Sequence, residues 1–347
     1  MKMHITDLKD GDRLKSDIFN RAGLHVLPKG TSIHKEEIAL LYRQSIDYID
    51  IEPRVDSSAL FGLDRSGFSS RLQENFDMTV QGYQSIFLEA LTTGKFNQAM
   101  VDNKLQPMLE VIDEKKDVVS LLIYFGQEDV NIYNHSLQVG LLSYYIASWL
   151  GYTKEECMTI SKAGYLHDIG KCQVPQEIRN STHPLSAEEK AELRKHTKYG
   201  YDIIRESMSD EPIALVALQH HERENGSGHP DGLHKEQIHP YAQIVAVANA
   251  YVDMTAPDSE GNKPALLTVL RKVYELGFGV LNERAVQALT RNLLPSFIGK
   301  KVRLSDDQLA TIVWTNPSDI FRPLVQSEQK FYDLSTERNI QIVDVFM

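Results

Sequence analysis

Residues 154–171 read KEECMTISKAGYLHDIGK. Cys157, Ile160, Gly164 and His167 fall three or four positions apart, so they share one face of a helix. That helix ends where His167 and Asp168 run into Ile169-Gly170, which brings an imidazole and a carboxylate together at one helix end. Upstream, His135 lies on a stripe with Val139, Leu142, Ile146 and Trp149, so its ring is expected to point into a core, where a lone histidine is usually a hydrogen-bonded packing residue. Helical periodicity recurs near 130–152, 154–168, 186–207, 211–222, 239–255, 264–276 and 283–294, and the centre of the chain is predicted to be all-α.

Histidine is concentrated in this region. Nine of the twelve histidines lie between His135 and His239, where even scatter would leave about four. His196 closes the charged run Glu188 to Lys195, and His220-His221 follow the apolar stretch Ile213 to Leu218, which sets two adjacent rings at a helix end. The helix from Pro240 is apolar nearly all round and carries Asn249 in its middle, and a buried amide there needs partners. Imidazoles delivered inward by several helices, with a carboxylate among them, are the donor set of a metal site in a helical bundle.

Outside this region the reading changes. Residues 1–52 alternate short apolar runs with turns at Asp10-Gly11 and Pro28-Lys29-Gly30, around one helix near 34–44 and a strand-like Tyr48 to Ile51, and read as a small α/β module. Residues 53–127 read as a linker, with Pro53, Gly62 and Gly67, leading into two or three connecting helices. Residues 128–295 are the helical domain. Residues 296–347, where Lys301 to Leu304 and Ala310 to Trp314 have strand character, read as a short β-rich tail. The fold class is therefore mainly α, with small α/β and β appendages.

Composition narrows the function. The 347 residues are 42% hydrophobic and 24% charged, as in an ordinary globular protein, and the formal charge of −11 excludes broad contact with a nucleic-acid backbone. The two cysteines, Cys157 and Cys172, fit a reducing compartment, and a cytoplasmic location is expected. The opening MKMHITDLKDGDRL lacks the apolar core of a secretory signal, and Leu137 to Leu150 is shorter than the roughly 20 residues a membrane span needs.

The order His135, then HDIGK at 167–171, then His196, then HHERENGSGHP at 220–230, closely resembles the HD-GYP family of metal-dependent cyclic di-GMP phosphodiesterases. The resemblance covers about 130–255 and implies an HD-type helical bundle. It assigns one divalent metal ion to His135, His167 and Asp168, and a second to Asp168, His196, His220 and His221, with Asp168 bridging. Mixed imidazole and carboxylate donors suit iron or manganese. The implied reaction is hydrolysis of cyclic di-GMP to pGpG, and onward to GMP, by a metal-bridging hydroxide in an in-line displacement. Lys171, beside Asp168, is placed to contact a phosphate oxygen, while Arg223, Gly228, His229 and Pro230 are the expected substrate-binding residues.

Three positions depart from the family pattern. His229 stands where the name-giving tyrosine would be, Asn225 replaces an aspartate, and Asn249 occupies the place of the last aspartate ligand, which weakens coordination of the first ion. Asp253, one turn further on, compensates only through a helix shift or a water bridge. The basic cluster that usually follows is replaced by Pro257-Asp258-Ser259-Glu260-Gly261, and Asn131 offers no carboxylate to a third ion. These departures leave two alternatives open. One is a catalytically impaired module acting as a nucleotide receptor or as a scaffold for a protein partner at the Gly228-His229-Pro230 loop; the other is a change of substrate to hybrid cyclic GMP-AMP. A homodimer is compatible with either.

Overall fold

The computed structural model describes residues 70–113, 118, 121, 122, 131–179, 181, 183–256, 264–316, 319–328 and 330–346. Within the first 50 residues it describes 2–4, 14, 15, 17–19, 25–34, 37, 40, 41, 44, 46 and 48–50. The chain divides into two compact units, Met1–Gly67 and Phe68–Met347.

In the first unit, β1 (Lys2–His4) pairs antiparallel with β4 (Tyr48–Asp50), Met3 opposite Ile49. β2 (Ile18–Phe19) pairs with β3 (His25–Leu27). Leu14, Ile18, Leu27, Ile33, Leu41 and Ile49 form a small core of their own. The helix expected near 34–44 falls partly, and the linker at 53–69 wholly, outside the described residues.

The second unit opens with two long helices, α1 (Ser70–Thr93) and α2 (Gln98–Asp113). α3 (Ile132–Trp149) and α4 (Lys154–Leu166) follow as an antiparallel pair joined by a short turn. Their starts are written locally: Asn131 caps α3 by accepting from the amides of Tyr133 and Asn134, and Thr153 and Glu156 form a capping box on α4. The pair packs closely because two glycines face each other, a Cβ on Gly164 falling 3.0 Å from Gly140 Cα. A 3₁₀ turn (Ile169–Gln173) and a short α5 (Gln176–Arg179) lead onward.

The periodicity at 186–207, expected as one helix, is two: α6 (Ala187–Arg194), capped by Ser186, and α7 (His196–Met208). The break at Lys195 makes His196 the first residue of a new helix rather than the end of a charged face. α8 (Glu211–Gln219), α9 (Pro240–Thr255), α10 (Leu266–Leu276) and α11 (Glu283–Ser296) complete the bundle. No described helix is long and apolar enough to cross a membrane.

The β-rich end has more strands than the two legible beforehand. β5 (Lys301–Leu304), β6 (Leu309–Asn316), β7 (Asp319–Ser327), β8 (Lys330–Asp333) and β9 (Ile342–Phe346) form one antiparallel sheet in the order β8-β7-β6-β5-β9. Its buried residues Val302, Leu304, Ala310, Ile312, Val325 and Val345 belong to the same core cluster as the helices.

Candidate metal centre

Four helix ends and one helix interior converge on Asp168. The end of α4 supplies His167 and Asp168, the start of α7 supplies His196, and the residues just past α8 supply His220 and His221. α3 contributes His135 from its first turns, and α9 contributes Asn249. The closest approach depends on Gly170. A Cβ there would sit 2.0 Å from the His196 carbonyl oxygen and 2.3 Å from the Gly200 nitrogen, so a larger residue would push the His-Asp end away from α7.

Asp168 is 1% exposed, and its two oxygens face different company. Oδ1 lies 3.3 Å from His196 Nε2 and 3.8 Å from His220 Nε2. Oδ2 lies 3.3 Å from His167 Nε2, 3.8 Å from His135 Nε2 and 2.6 Å from Lys171 Nζ. Ligand atoms of Asp168, His196, His220 and His221 lie within 4.8 Å of one another, as do those of His135, His167 and Asp168.

The hydrogen bonds on the far side of the rings decide what the near side offers. Nδ1 of His167 meets the Gly164 carbonyl at 2.7 Å, Nδ1 of His196 that of Leu193 at 2.6 Å, and Nδ1 of His220 that of Ala217 at 2.9 Å. A carbonyl only accepts, so each of these nitrogens carries a proton, and in the neutral ring each Nε2 turns a lone pair inward. The Nε2 atoms of His196 and His220 are 3.3 Å apart, beside an Asp168 Oδ1 that no donor reaches, and His167 Nε2 is likewise buried without a partner. Lone pairs converging in a dry pocket repel one another unless a cation stands between them. The donors present fit a divalent metal ion.

Protonation favours the same outcome. Burial, reinforced by the neighbouring imidazoles, holds His220 and His221 well below the usual histidine range, and burial also lowers His135. Burial alone would raise Asp168, but His167 and Lys171 more than offset it and hold the carboxyl well below the usual carboxylate range. Neutral imidazoles around an ionised carboxylate are the state that binds metals.

The other expected site residues have these partners within the protein. Lys171 donates to Asp168 Oδ2. Arg223 donates to the carbonyls of His220 and Glu222. Asn225 Oδ1 accepts from the Ser227 amide and hydroxyl within the loop. Asn131 is the α3 cap. Pro257 to Gly261 lie outside the described residues.

The loop 226–233 lies over the centre. His229 tilts against His221 with ring centroids 4.6 Å apart, and its amide donates to the His221 carbonyl. Burial, helped by Arg194, His196 and Arg223, pushes the His229 imidazole down to about 4. Gly228 has no room for a side chain, since a Cβ would fall 2.4 Å from Glu222 Cα. Glu222 is the residue the sequence reading passed over. Buried at 2% exposure, it accepts from the Asp231 amide at 2.7 Å and the Leu233 amide at 2.9 Å, which fastens the loop to the segment carrying His220 and His221. Its place directly after the histidine pair was the one available signal.

Residues 125–270 match the family model described as "HD domain". Over 148 residues the chain is 33% identical to the cyclic di-GMP phosphodiesterase response regulator RpfG of Xanthomonas campestris, covering 42% of this chain and 39% of RpfG. Over 167 residues it is 34% identical to a cyclic di-GMP phosphodiesterase of Thermotoga maritima, covering 47% of this chain and 45% of that protein. The match thus spans less than half the length of either relative. Among solved structures, Bd1817, an HDG"Y"P protein from Bdellovibrio bacteriovorus, superposes with a TM-score of 0.53 at 19% identity over 83% of this chain and 97% of its own, a likeness of fold. Residues 125–270 form an HD domain. Its fold is shared with that HDG"Y"P protein.

Proposed function

We propose that the chain is a metal-dependent phosphodiesterase whose substrate is a cyclic dinucleotide, with cyclic di-GMP the first candidate and pGpG, then GMP, the products. One observation carries the reading: the Nε2 lone pairs of His196 and His220 and the unpartnered Oδ1 of Asp168 converge with no donor between them. Asp168, His196, His220 and His221 form one donor group and His135, His167 and Asp168 a second, and imidazole and carboxylate donors suit iron or manganese. A bound divalent ion would supply an activated water and neutralise phosphate charge. The reaction adds water across one phosphodiester and opens the ring.

The chain's own groups orient the substrate. Lys171, a partly exposed cation beside Asp168, exchanges Oδ2 for a non-bridging phosphate oxygen and offsets charge developing there. His229 is neutral around neutral pH and packs at a tilt against His221, so it presents an uncharged aromatic wall to a nucleobase, with Gly228 and Pro230 beside it. Arg223 holds this segment through its backbone carbonyls.

A receptor or scaffold is the second reading, favoured by the amide at position 249. Protein reconstituted with Fe(II) or Mn(II) without oxygen would be given cyclic di-GMP and hybrid cyclic GMP-AMP, with Asp168→Ala as control. Asp168-dependent opening of either ring supports the phosphodiesterase and names its substrate. Binding without turnover supports the receptor.

A further inference from the structure

The two donor groups that share Asp168 are not equivalent, and the difference comes from α9. Asn249 is 2% exposed, and its Oδ1 lies 2.9 Å from His135 Nε2 while its Nδ2 donates to Asp253 Oδ2 at 3.0 Å. A carboxylate offers only acceptors, so the amide must turn its NH₂ toward Asp253 and its carbonyl oxygen toward His135. His135 Nε2 must then carry a proton and donate it. The other ring nitrogen, Nδ1, is 3.7 Å from Asp253 Oδ1. His135 is therefore held in the opposite tautomer from His167, His196 and His220, with no lone pair aimed at Asp168.

The same side of the pocket already contains a cation. Lys171 Nζ sits 2.6 Å from Asp168 Oδ2, the oxygen that faces His135 and His167, whereas Oδ1 faces His196 and His220 and accepts from nothing. An ammonium there supplies the positive charge that Oδ2 would otherwise seek from a metal, and it would have to leave before an ion entered.

We infer that the resting protein holds one divalent ion, between Asp168 Oδ1, His196, His220 and His221, and that Asn249 and Lys171 keep the His135 side closed to a second. The inference rests on the metal-dependent reading above. An aspartate at 249 would reverse the arrangement, because two carboxylates four residues apart repel and an acceptor at 249 would leave His135 free to turn a lone pair inward.

The test is metal content together with electron paramagnetic resonance of chelator-stripped full-length protein re-equilibrated with Mn(II) and freed of excess by gel filtration. The natural chain is expected to retain one Mn(II) with an uncoupled, mononuclear signal. Asn249→Asp is expected to retain two, with an exchange-coupled signal. His135→Ala is expected to keep the single ion, and His220→Ala to lose it. Two ions in the natural chain, or loss of the ion in His135→Ala, overturns the inference while leaving the metal-dependent reading standing. No ion in either the natural chain or Asn249→Asp overturns both.

Discussion

The helical core and the C-terminal sheet bury their interiors in one continuous cluster, yet they fill them with different chemistry. The sheet turns Val302, Leu304, Ala310, Ile312, Val325 and Val345 inward, and among its described residues the buried polar one is Ser327, whose hydroxyl donates to the Leu309 carbonyl. The helical region buries His167, Asp168, His196, His220, Glu222 and Asn249, each at 2% exposure or less. Apolar burial contributes on the order of 25 cal/mol per Å² to stability, whereas an ionised group in a dry interior costs several kcal/mol unless it is matched. The sheet therefore stabilises the unit, and the polar centre opposes stability until a cation fills it. A polar interior maintained against that cost is the physical mark of a site.

The contrast predicts effects of different kind. Asp168→Ala should abolish the proposed turnover, by roughly 10³-fold or more since it removes the carboxylate common to both donor groups, and should also lower metal-free stability because Lys171 loses its partner. Activity and denaturation midpoints of the chelated protein check both halves; an unchanged metal-free midpoint would mean that the carboxylate is unmatched without metal. Ile312→Ala should spare the chemistry, costing about 2–5 kcal/mol of stability with turnover per folded molecule unchanged. Urea titration beside an active-fraction assay reads this.

Between these extremes stands Glu222, a buried polar residue that touches loop amides. Glu222→Gln retains one acceptor but turns an NH₂ toward an amide donor, so about 1–3 kcal/mol of loop anchoring should go. The expected signature is a raised KM with kcat nearly preserved and metal content unaltered, since the ligand atoms remain in place. A fall in kcat with KM unchanged would mean that Glu222 acts on the centre itself.

How much of this was legible follows the same division. Helix starts near 130, 154, 186 and 283 were readable from apolar period, and the structure adds the local caps that fix them, Asn131, Thr153, Ser186 and Asn282, each bonding within three residues. The inward direction of His135 and His167 was readable from helical period, while the grouping of ligands around Asp168 came through family resemblance. Strand β7 was obscured because Pro323 stands in its interior, and β8 and β9, of four and five residues, are too short for a clear alternation. Glu222 escaped because its partners, Asp231 and Leu233, lie nine and eleven residues away across a turn that spacing alone does not close. Asn249 and Asp253 were readable as one helical turn apart. That this turn sets the tautomer of His135 is a tertiary fact.

The smallest expected effect tests whether polar burial, rather than the individual rings, makes the centre unstable without metal. His229 lies at about 4 in the folded protein against an ordinary histidine value of 6.5. Within that window the unfolded chain takes up a proton that the folded chain refuses, so stability rises with pH between the two values and is lost as pH falls below 6.5. His220 and His221, also held low by burial, act in the same direction. The urea midpoint of the chelated protein should therefore drop across this window, and His229→Gln should drop less steeply because one such proton is gone. Ile312→Ala, which removes only apolar contact, should lower the midpoint by the same amount at every pH. A pH slope unchanged in His229→Gln would mean that the loop opens in the metal-free state and leaves that imidazole in water.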